Sequence, residues 1–344
     1  GTGSRRVASP RVSVLLPVRD AAATLAECLD SLAAQSLADH EVVAVDDGSR
    51  DGSGEMLLAR AAADPRVRVL RTPPRGLAPA LNRALEEARA PIVARMDADD
   101  VAHPDRLLLQ LRGLEADERL DVLACRVARR AEPGVPVAGG MSDYVEWLNG
   151  LLDHESMARE RFVESPVAHP SVALRRETLR TLGGWRDFEG PEDYELWLRA
   201  FDGGRRFAKL PDVLLTWRDR PGRLTRTDPR YSPARFLEVK LAALGRGPLA
   251  GDRPVVLWGA GPIGKAWARA LLAAGHRLTA FVEVDPRRIG RRLHGVPVLD
   301  VAAGAALKGP LHLAAVGQKG ARHRIRAEAA GRGLVEGADL VAVA

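Results

Sequence analysis

Two hydrophobic rhythms alternate along the first third of the chain. Short β-branched runs at 12–16, 41–46, 67–71 and 91–96 read as strands, and stretches near 22–35, 52–63, 77–89 and 104–116 carry apolar residues at helical spacing. This alternation predicts a parallel sheet with helices on both faces. Asp51 and Ser53 are suited to cap the second helix, and Pro104 suits a first helical position. A further strand is predicted from Asp121 to Val127. The pattern weakens over 129–165, where Gly, Pro and charge precede a helical stretch. It resumes as a strand near 171–175, a helix at 191–202 and a strand at 213–217. Residues 219–252, rich in Arg, Gly and Pro, predict a linker with a helical piece around 233–244.

A second alternation starts at Arg253. Val255 to Trp258 reads as a strand, followed by the turn Gly259-Ala260-Gly261-Pro262-Ile263-Gly264 and a helix through Ala274. Strands at Thr279–Val284 and Leu311–Val316 and a helix at 320–332 complete it. The expected organisation is therefore a tail over 1–10, a first domain over 11–218, a linker over 219–252 and a small domain over 253–344. The Gly1-Thr2-Gly3-Ser4 start lacks Met and is read as a disordered or non-native leader.

The 344 residues suit two domains with sizeable cores. No apolar run approaches the ~20 residues of a membrane span. Cys28 and Cys125 fall in a helical and a strand pattern, which argues against a disulfide framework and for a cytoplasmic setting. The net charge of +6 comes almost wholly from arginine. Arginine suits bidentate phosphate recognition, although genomic base composition produces the same bias. No basic helix interleaved with aromatics and no zinc spacing is present, which disfavours nucleic acid. A peripheral attraction to anionic lipid at the inner membrane face stays open.

Chemistry collects where the strands end. Pro91 to Met96 stops at Asp97, Asp99 and Asp100; Glu41 to Val45 stops at Asp46 and Asp47, then Gly48 and Ser49; the first strand stops at Pro17 and Val18, with Asp20 beyond. Clustered carboxylates repel and lose hydration unless something positive joins them. Taken alone, each turn fits a solvated helix cap or a site for a hard divalent cation such as Mg²⁺ or Mn²⁺. Three such ends favour a ligand crevice at the carboxyl edge of a parallel sheet.

These pieces together resemble a family 2 glycosyltransferase of the GT-A fold. The matching residues are Val12 to Val18, Val45 to Ser53, Asn82, Met96 to Asp100, and His103-Pro104-Asp105-Arg106-Leu107 with Gln110. Gly183-Gly184-Trp185 and Glu192 to Arg199 continue the match on the acceptor side. The resemblance implies a nucleotide-diphosphate sugar donor, contacted by Pro17, Val18, Asp20, Asp47, Arg75, Asp97 and Asp99, with Asp46 supporting its turn. It implies Mn²⁺ or Mg²⁺ on Asp99; His169, just before a strand, reads either as a further metal ligand or phosphate contact or as a hydrogen-bonded structural residue. It assigns Asp193, at the head of a helix, as the general base of an inverting transfer. The acceptor class stays open between a glycan, a lipid-linked molecule and a small molecule. Arg218, Arg220 and Arg223 read as a mobile basic loop over the donor phosphates, but Asp219 stands where the family more often has His. The Gln-x-x-Arg-Trp signature of processive synthases is absent, so single-residue transfer is expected.

The expected fold class is thus α/β, a mostly parallel GT-A-type sheet followed by a small Rossmann-like α/β domain. In the latter, Gly259, Gly261 and Gly264 allow a tight turn and close approach of backbone to a phosphate, and Glu283 stands where a ribose-binding acid is expected. That domain reads either as a nucleotide pocket or as a packing module through which the chain forms a homo-oligomer. Two other functions compete with transfer: an NAD(P)-dependent oxidoreductase, and a non-catalytic sugar-nucleotide scaffold.

Overall fold

The structure, a computed structural model, describes residues 9–136 and 139–344. The leader reading for residues 1–10 lies outside the described residues, apart from Ser9 and Pro10. The chain divides into two compact units, one of residues up to Met157 together with Pro166–Asp228, the other of Ala158–Ser165 and Pro229–Ala344.

The first unit is an eight-stranded sheet flanked by helices. Its strands are β1 (Val12–Val18), β2 (His40–Asp46), β3 (Val67–Arg71), β4 (Ile92–Arg95), β5 (Val101–Ala102), β6 (Val122–Ala131), β7 (Ala173–Arg175) and β8 (Phe207–Asp219), in the order β3-β2-β1-β4-β7-β6-β8-β5. β1 to β4 run parallel as the β-branched runs predict, because both faces are covered and apolar side chains fill both. β7, within the strand expected near 171–175, and β5, a two-residue strand too short to carry a period of its own, both enter antiparallel. β8 is much longer than its predicted 213–217. Cys125 pairs with Leu210 and Arg126 with Val213, so Pro211 and Asp212 bulge out of the ladder. A proline that cannot donate is accommodated there, and it masks the strand in the sequence. The helix predicted at 104–116 begins at Arg106, leaving Pro104 ahead of it.

The second unit is a six-stranded sheet of β9 (Val255–Trp258), β10 (Leu278–Val282), β11 (Arg292–Leu293), β12 (Val296–Leu299), β13 (Leu311–Ala314) and β14 (Leu340–Ala342). The order is β11-β12-β10-β9-β13-β14, parallel except for the edge strand β11. Trp258 and Trp267 are buried in this unit, and Trp258 Nε1–H donates to His312 Nδ1 at 3.0 Å. His312 Nε2 then donates to the Leu307 carbonyl at 2.9 Å, which fits the neutral ring that burial favours. The helix Pro233–Arg246, expected within a linker, belongs to this unit and buries Val239, Ala243 and Leu244. Among the described residues, no helix is long and apolar enough to cross a membrane.

Lys209 on β8 is buried, and its ammonium donates to the carbonyls of Leu148 and of Pro166, the latter at 3.1 Å. Burial lowers its pKa to about 7. The unfolded lysine keeps its proton to about pH 10.4, so between those values the unfolded state binds more protons and stability rises with pH. Lys209→Met should remove that slope. Thermal midpoints at pH 6.5 and pH 9 are expected to show the wild type gaining on the variant at the higher pH; a pH-independent difference would contradict the assignment.

Candidate active site

The parallel register brings the strand ends to one edge. Val18 lies beside Asp46, and Leu15 beside Arg95, so the segments after β1, β2 and β4 leave the sheet together. The turns are stitched by carboxylates. Asp47 donates its own N–H to the Val18 carbonyl at 2.9 Å. Its carboxylate accepts the N–H groups of Arg75 at 2.7 Å and Gly76 at 2.9 Å, with the Arg19 guanidinium 3.4 Å away. Asp46 accepts from Ser49 N–H at 2.9 Å and Arg71 Nε at 3.1 Å, the turn-supporting role its position suggests. Asp20, held at φ 48°, accepts from Arg50 N–H at 2.8 Å. Pro17, Val18, Asp20, Asp47 and the backbone of Arg75 therefore share one rim; the Arg75 side chain is exposed.

Beyond β4 the chain turns tightly, Asp100 N–H reaching the Asp97 carbonyl at 3.2 Å. One carboxylate oxygen from each of Asp97, Asp99 and Asp100 lies within 4.8 Å of the others. Among the described residues this is the one such convergence of three acidic, His or Cys groups. Each acid has a basic neighbour. Arg95, 1% exposed, pairs with Asp97 at 2.7 Å, and Arg220 Nε lies 3.0 Å from Asp99. Asp100 accepts the Arg218 N–H at 2.8 Å, yet its Oδ2 is buried with no hydrogen-bond partner. Burial first, then the neighbouring Asp97 and Asp99 charges, raises the Asp100 carboxyl well above the ordinary range. Asp99 is raised by burial and by Asp97.

The basic strip at the end of β8 and beyond is anchored. The Arg218 guanidinium donates to the Asp99 carbonyl at 2.7 Å and to Glu132 at 3.0 Å, and it also meets Glu27. Arg223 stacks over Trp217 with 4.1 Å to the ring centroid. Asp219 is buried between Arg129 at 2.8 Å and Arg226 at 2.9 Å. The mobile-loop reading fails for Arg218, which is buried within this network.

The acceptor-side helix, Glu192–Asp202, starts directly after Pro191. Asp193 stands in its first turn, partly exposed, and its Oδ1 accepts Tyr194 N–H at 2.7 Å. Asn82 bridges to the preceding loop: its Nδ2 donates to the Trp185 carbonyl at 2.7 Å, and its Oδ1 accepts Trp185 N–H at 3.0 Å. A Cβ on Gly184 would lie 2.3 Å from that Oδ1, which explains the second glycine of the Gly183-Gly184-Trp185 run.

His169 stands outside the acidic cluster. Its Nε2 accepts the Trp185 Nε1–H at 3.0 Å, its Nδ1 is 4.0 Å from Glu192, and burial together with Arg95 lowers its pKa well below the ordinary value. The lone pair a metal would need is already in use. In the second unit, Glu283 spends both oxygens locally, accepting from Ala260 N–H at 3.2 Å, Val284 N–H at 2.9 Å and Arg288 at 3.0 Å. The sequence reading missed Arg95 and held Arg106 only as a residue of the motif match. Both are cations inside apolar or amphipathic runs, a signal that something anionic must lie nearby.

Three hard oxygen donors, one with an orphaned buried oxygen, match the ligand preference of Mg²⁺ or Mn²⁺. The metal reading therefore fits the residues present.

Comparison with known proteins bears on the family and the fold. Residues 13–183 match the family described as Glycosyl transferase family 2. The chain is 30% identical over 228 residues to the Putative glycosyltransferase EpsE of Bacillus subtilis, covering 65% of this chain and 78% of that protein. It is 32% identical over 193 residues to the Amylovoran biosynthesis glycosyltransferase AmsE of Erwinia amylovora, covering 56% and 69%. Among solved structures it resembles S. aureus TarS in complex with UDP-GlcNAc, with a TM-score of 0.56, 21% identity and coverage of 70% and 67%. It also resembles the mannosyltransferase PcManGT from Pyrobaculum calidifontis in complex with GDP-Man and Mn²⁺, with a TM-score of 0.51, 24% identity and coverage of 78% and 79%. At these identities the structural likenesses speak to fold alone.

The Asn82 bridge yields a direct test. Losing two hydrogen bonds that leave backbone groups unpaired costs about 1–3 kcal/mol. Asn82→Ala should lower the urea midpoint of the full chain accordingly, whereas an unchanged midpoint would remove the bridge from the account.

Proposed function

This chain belongs to the family 2 glycosyltransferases, and from that premise we propose that it is an inverting, divalent-metal-dependent enzyme acting on a nucleotide-diphosphate sugar. The observation that carries the proposal is the convergence of one carboxylate oxygen each from Asp97, Asp99 and Asp100 within 4.8 Å of one another. The complexes of fold neighbours with UDP-GlcNAc and with GDP-Man and Mn²⁺ support a donor and a cation of this kind.

In this reading Asp99 holds the cation, Asp97 contacts the ribose or a water beside it, and Asp100 keeps the turn in place. A bound Mg²⁺ or Mn²⁺ supplies Lewis-acid stabilisation of charge on the departing diphosphate. Arg220, now on Asp99, exchanges that carboxylate for a donor phosphate oxygen. Asp47 fixes the loop at Arg75 and Gly76 against β1, shaping the rim that receives the nucleoside. Asp193 takes the proton of the acceptor hydroxyl as its oxygen attacks the anomeric carbon. The bond to the diphosphate breaks from the opposite face, which inverts the anomeric configuration. The helix N-terminus favours the ionised form of Asp193.

Asp99→Ala should abolish metal-dependent nucleotide binding. Isothermal titration of UDP and GDP with and without Mn²⁺ reads this, and an unchanged metal increment in the variant would exclude Asp99 as the ligand. Asp193→Asn should keep donor binding and slow transfer by at least ~100-fold, the scale of a lost general base. Transfer near the wild-type rate would return Asp193 to a helix-capping role.

A further inference from the structure

The second unit contains a crevice that the transfer reaction does not use. Its volume is about 1220 Å³, above the ordinary range for a small-molecule pocket and ample for a nucleotide. It opens among residues that follow β9, β10 and β13, Gly259 and Gly261, Glu283 and Val284, and Val316 and Gly317. β9 is flanked by β10 on one side and β13 on the other, so the chain changes direction across the sheet at this point. Parallel α/β sheets bind ligands at such a switch, outside the carboxyl ends of the strands.

The three glycines of the first turn differ in why they are glycine. Gly259 has φ +108°, and a Cβ there would meet Val316 at 2.5 Å. A Cβ on Gly264 would lie 1.8 Å from the Gly259 carbonyl oxygen. Both are required by the fold itself. Gly261 is not: its backbone is extended, at φ −80° and ψ −170°, and its Cβ would meet nothing within 4 Å. Any small residue fits there. The missing side chain leaves backbone open at the head of the twelve-residue helix Pro262–Ala273, where N–H groups favour an anion.

The crevice wall has matching chemistry. Arg324 lines it and carries no ion pair among the described residues. Arg288 lines it too, held only by acids, Glu283 at 3.0 Å and Asp285 at 3.7 Å. Transfer of Arg288 to a phosphate would open one acceptor position on Glu283 Oε2, which keeps its bond from the Ala260 N–H. Val284 is 77% exposed and Ile263 39% exposed, unusual for residues of this size, and both face the same space as lining residues. Apolar walls suit a base, cations suit phosphates, and the volume suits both together.

We infer that this crevice is a second, metal-independent site that binds the nucleoside-diphosphate moiety of a nucleotide. The moiety could arrive in a simple nucleoside diphosphate, a sugar nucleotide or a nicotinamide dinucleotide, and titration separates these sources. The full chain is titrated calorimetrically in EDTA with ADP, UDP, UDP-glucose and NADH, as wild type and as Gly261→Ala, Arg324→Gln and Asp99→Ala. The expected result is saturable binding of one equivalent of at least one probe. It should be retained in Asp99→Ala and weakened at least ~10-fold, or about 1.4 kcal/mol, in Gly261→Ala and Arg324→Gln. Because metal is withheld, failure here is distinguishable from failure of the transferase reading. Arg324→Gln alters an exposed side chain outside any ion pair and carries the test independently of Gly261→Ala. No saturable binding of any probe, or equal affinity in wild type and both crevice variants, would overturn the inference.

Discussion

Three carboxylates crowded at the end of a buried strand are the constraint around which the first unit is organised. Asp100 is 1% exposed and keeps one oxygen unpaired, an arrangement that burial and mutual repulsion both oppose. The surrounding residues answer with cations. Arg95 pairs with Asp97 from within the sheet, Arg220 approaches Asp99, and the Arg218 backbone and guanidinium grip Asp100 and the Asp99 carbonyl. Buried Arg106 adds a further positive charge and donates to the Arg95 carbonyl at 2.7 Å. Removing one partner from such a set leaves an uncompensated buried charge.

The same network ties the site to the scaffold. Arg106 Nε donates to Gln110 Oε1 at 3.1 Å, and Gln110 Nε2 donates to the carbonyls of Leu123 at 2.7 Å and Ser171 at 2.8 Å. One helix therefore links β4, β6 and the turn before β7. The chemistry of the Arg106-to-Gln110 spacing is structural: it closes buried backbone acceptors that would otherwise be orphaned.

Much of this was legible in the sequence. The β-branched runs that stop at Asp46 and at Met96 give the parallel strands and their polar ends, since a strand buried on both faces needs apolar residues throughout. Asn82 and the Gly183-Gly184-Trp185 run belong to one motif set, and the structure joins them by two hydrogen bonds. What was not legible depends on distant pairing. β5 is defined only by its antiparallel partner, and Pro211 hides the first half of β8. His169 in isolation fits either a ligand or a structural residue, and only its contact with Trp185, sixteen residues on, which claims its Nε2, separates the two. Glu283 sits at the expected spacing for a ribose acid, but the backbone it braces is formed only when the Gly259–Gly264 turn folds against it.

The central claim is that the acidic turn after β4 holds a divalent cation beside a nucleotide. Crystals of the full chain grown with Mn²⁺ and UDP or GDP, measured at the manganese absorption edge, test it most directly. The account predicts an anomalous peak within about 2–2.5 Å of an Asp99 carboxylate oxygen, the range for hard cations on oxygen, with nucleotide phosphate oxygens on the same ion. Nucleotide bound at that turn with no manganese on Asp99, or manganese bound only elsewhere, would contradict it.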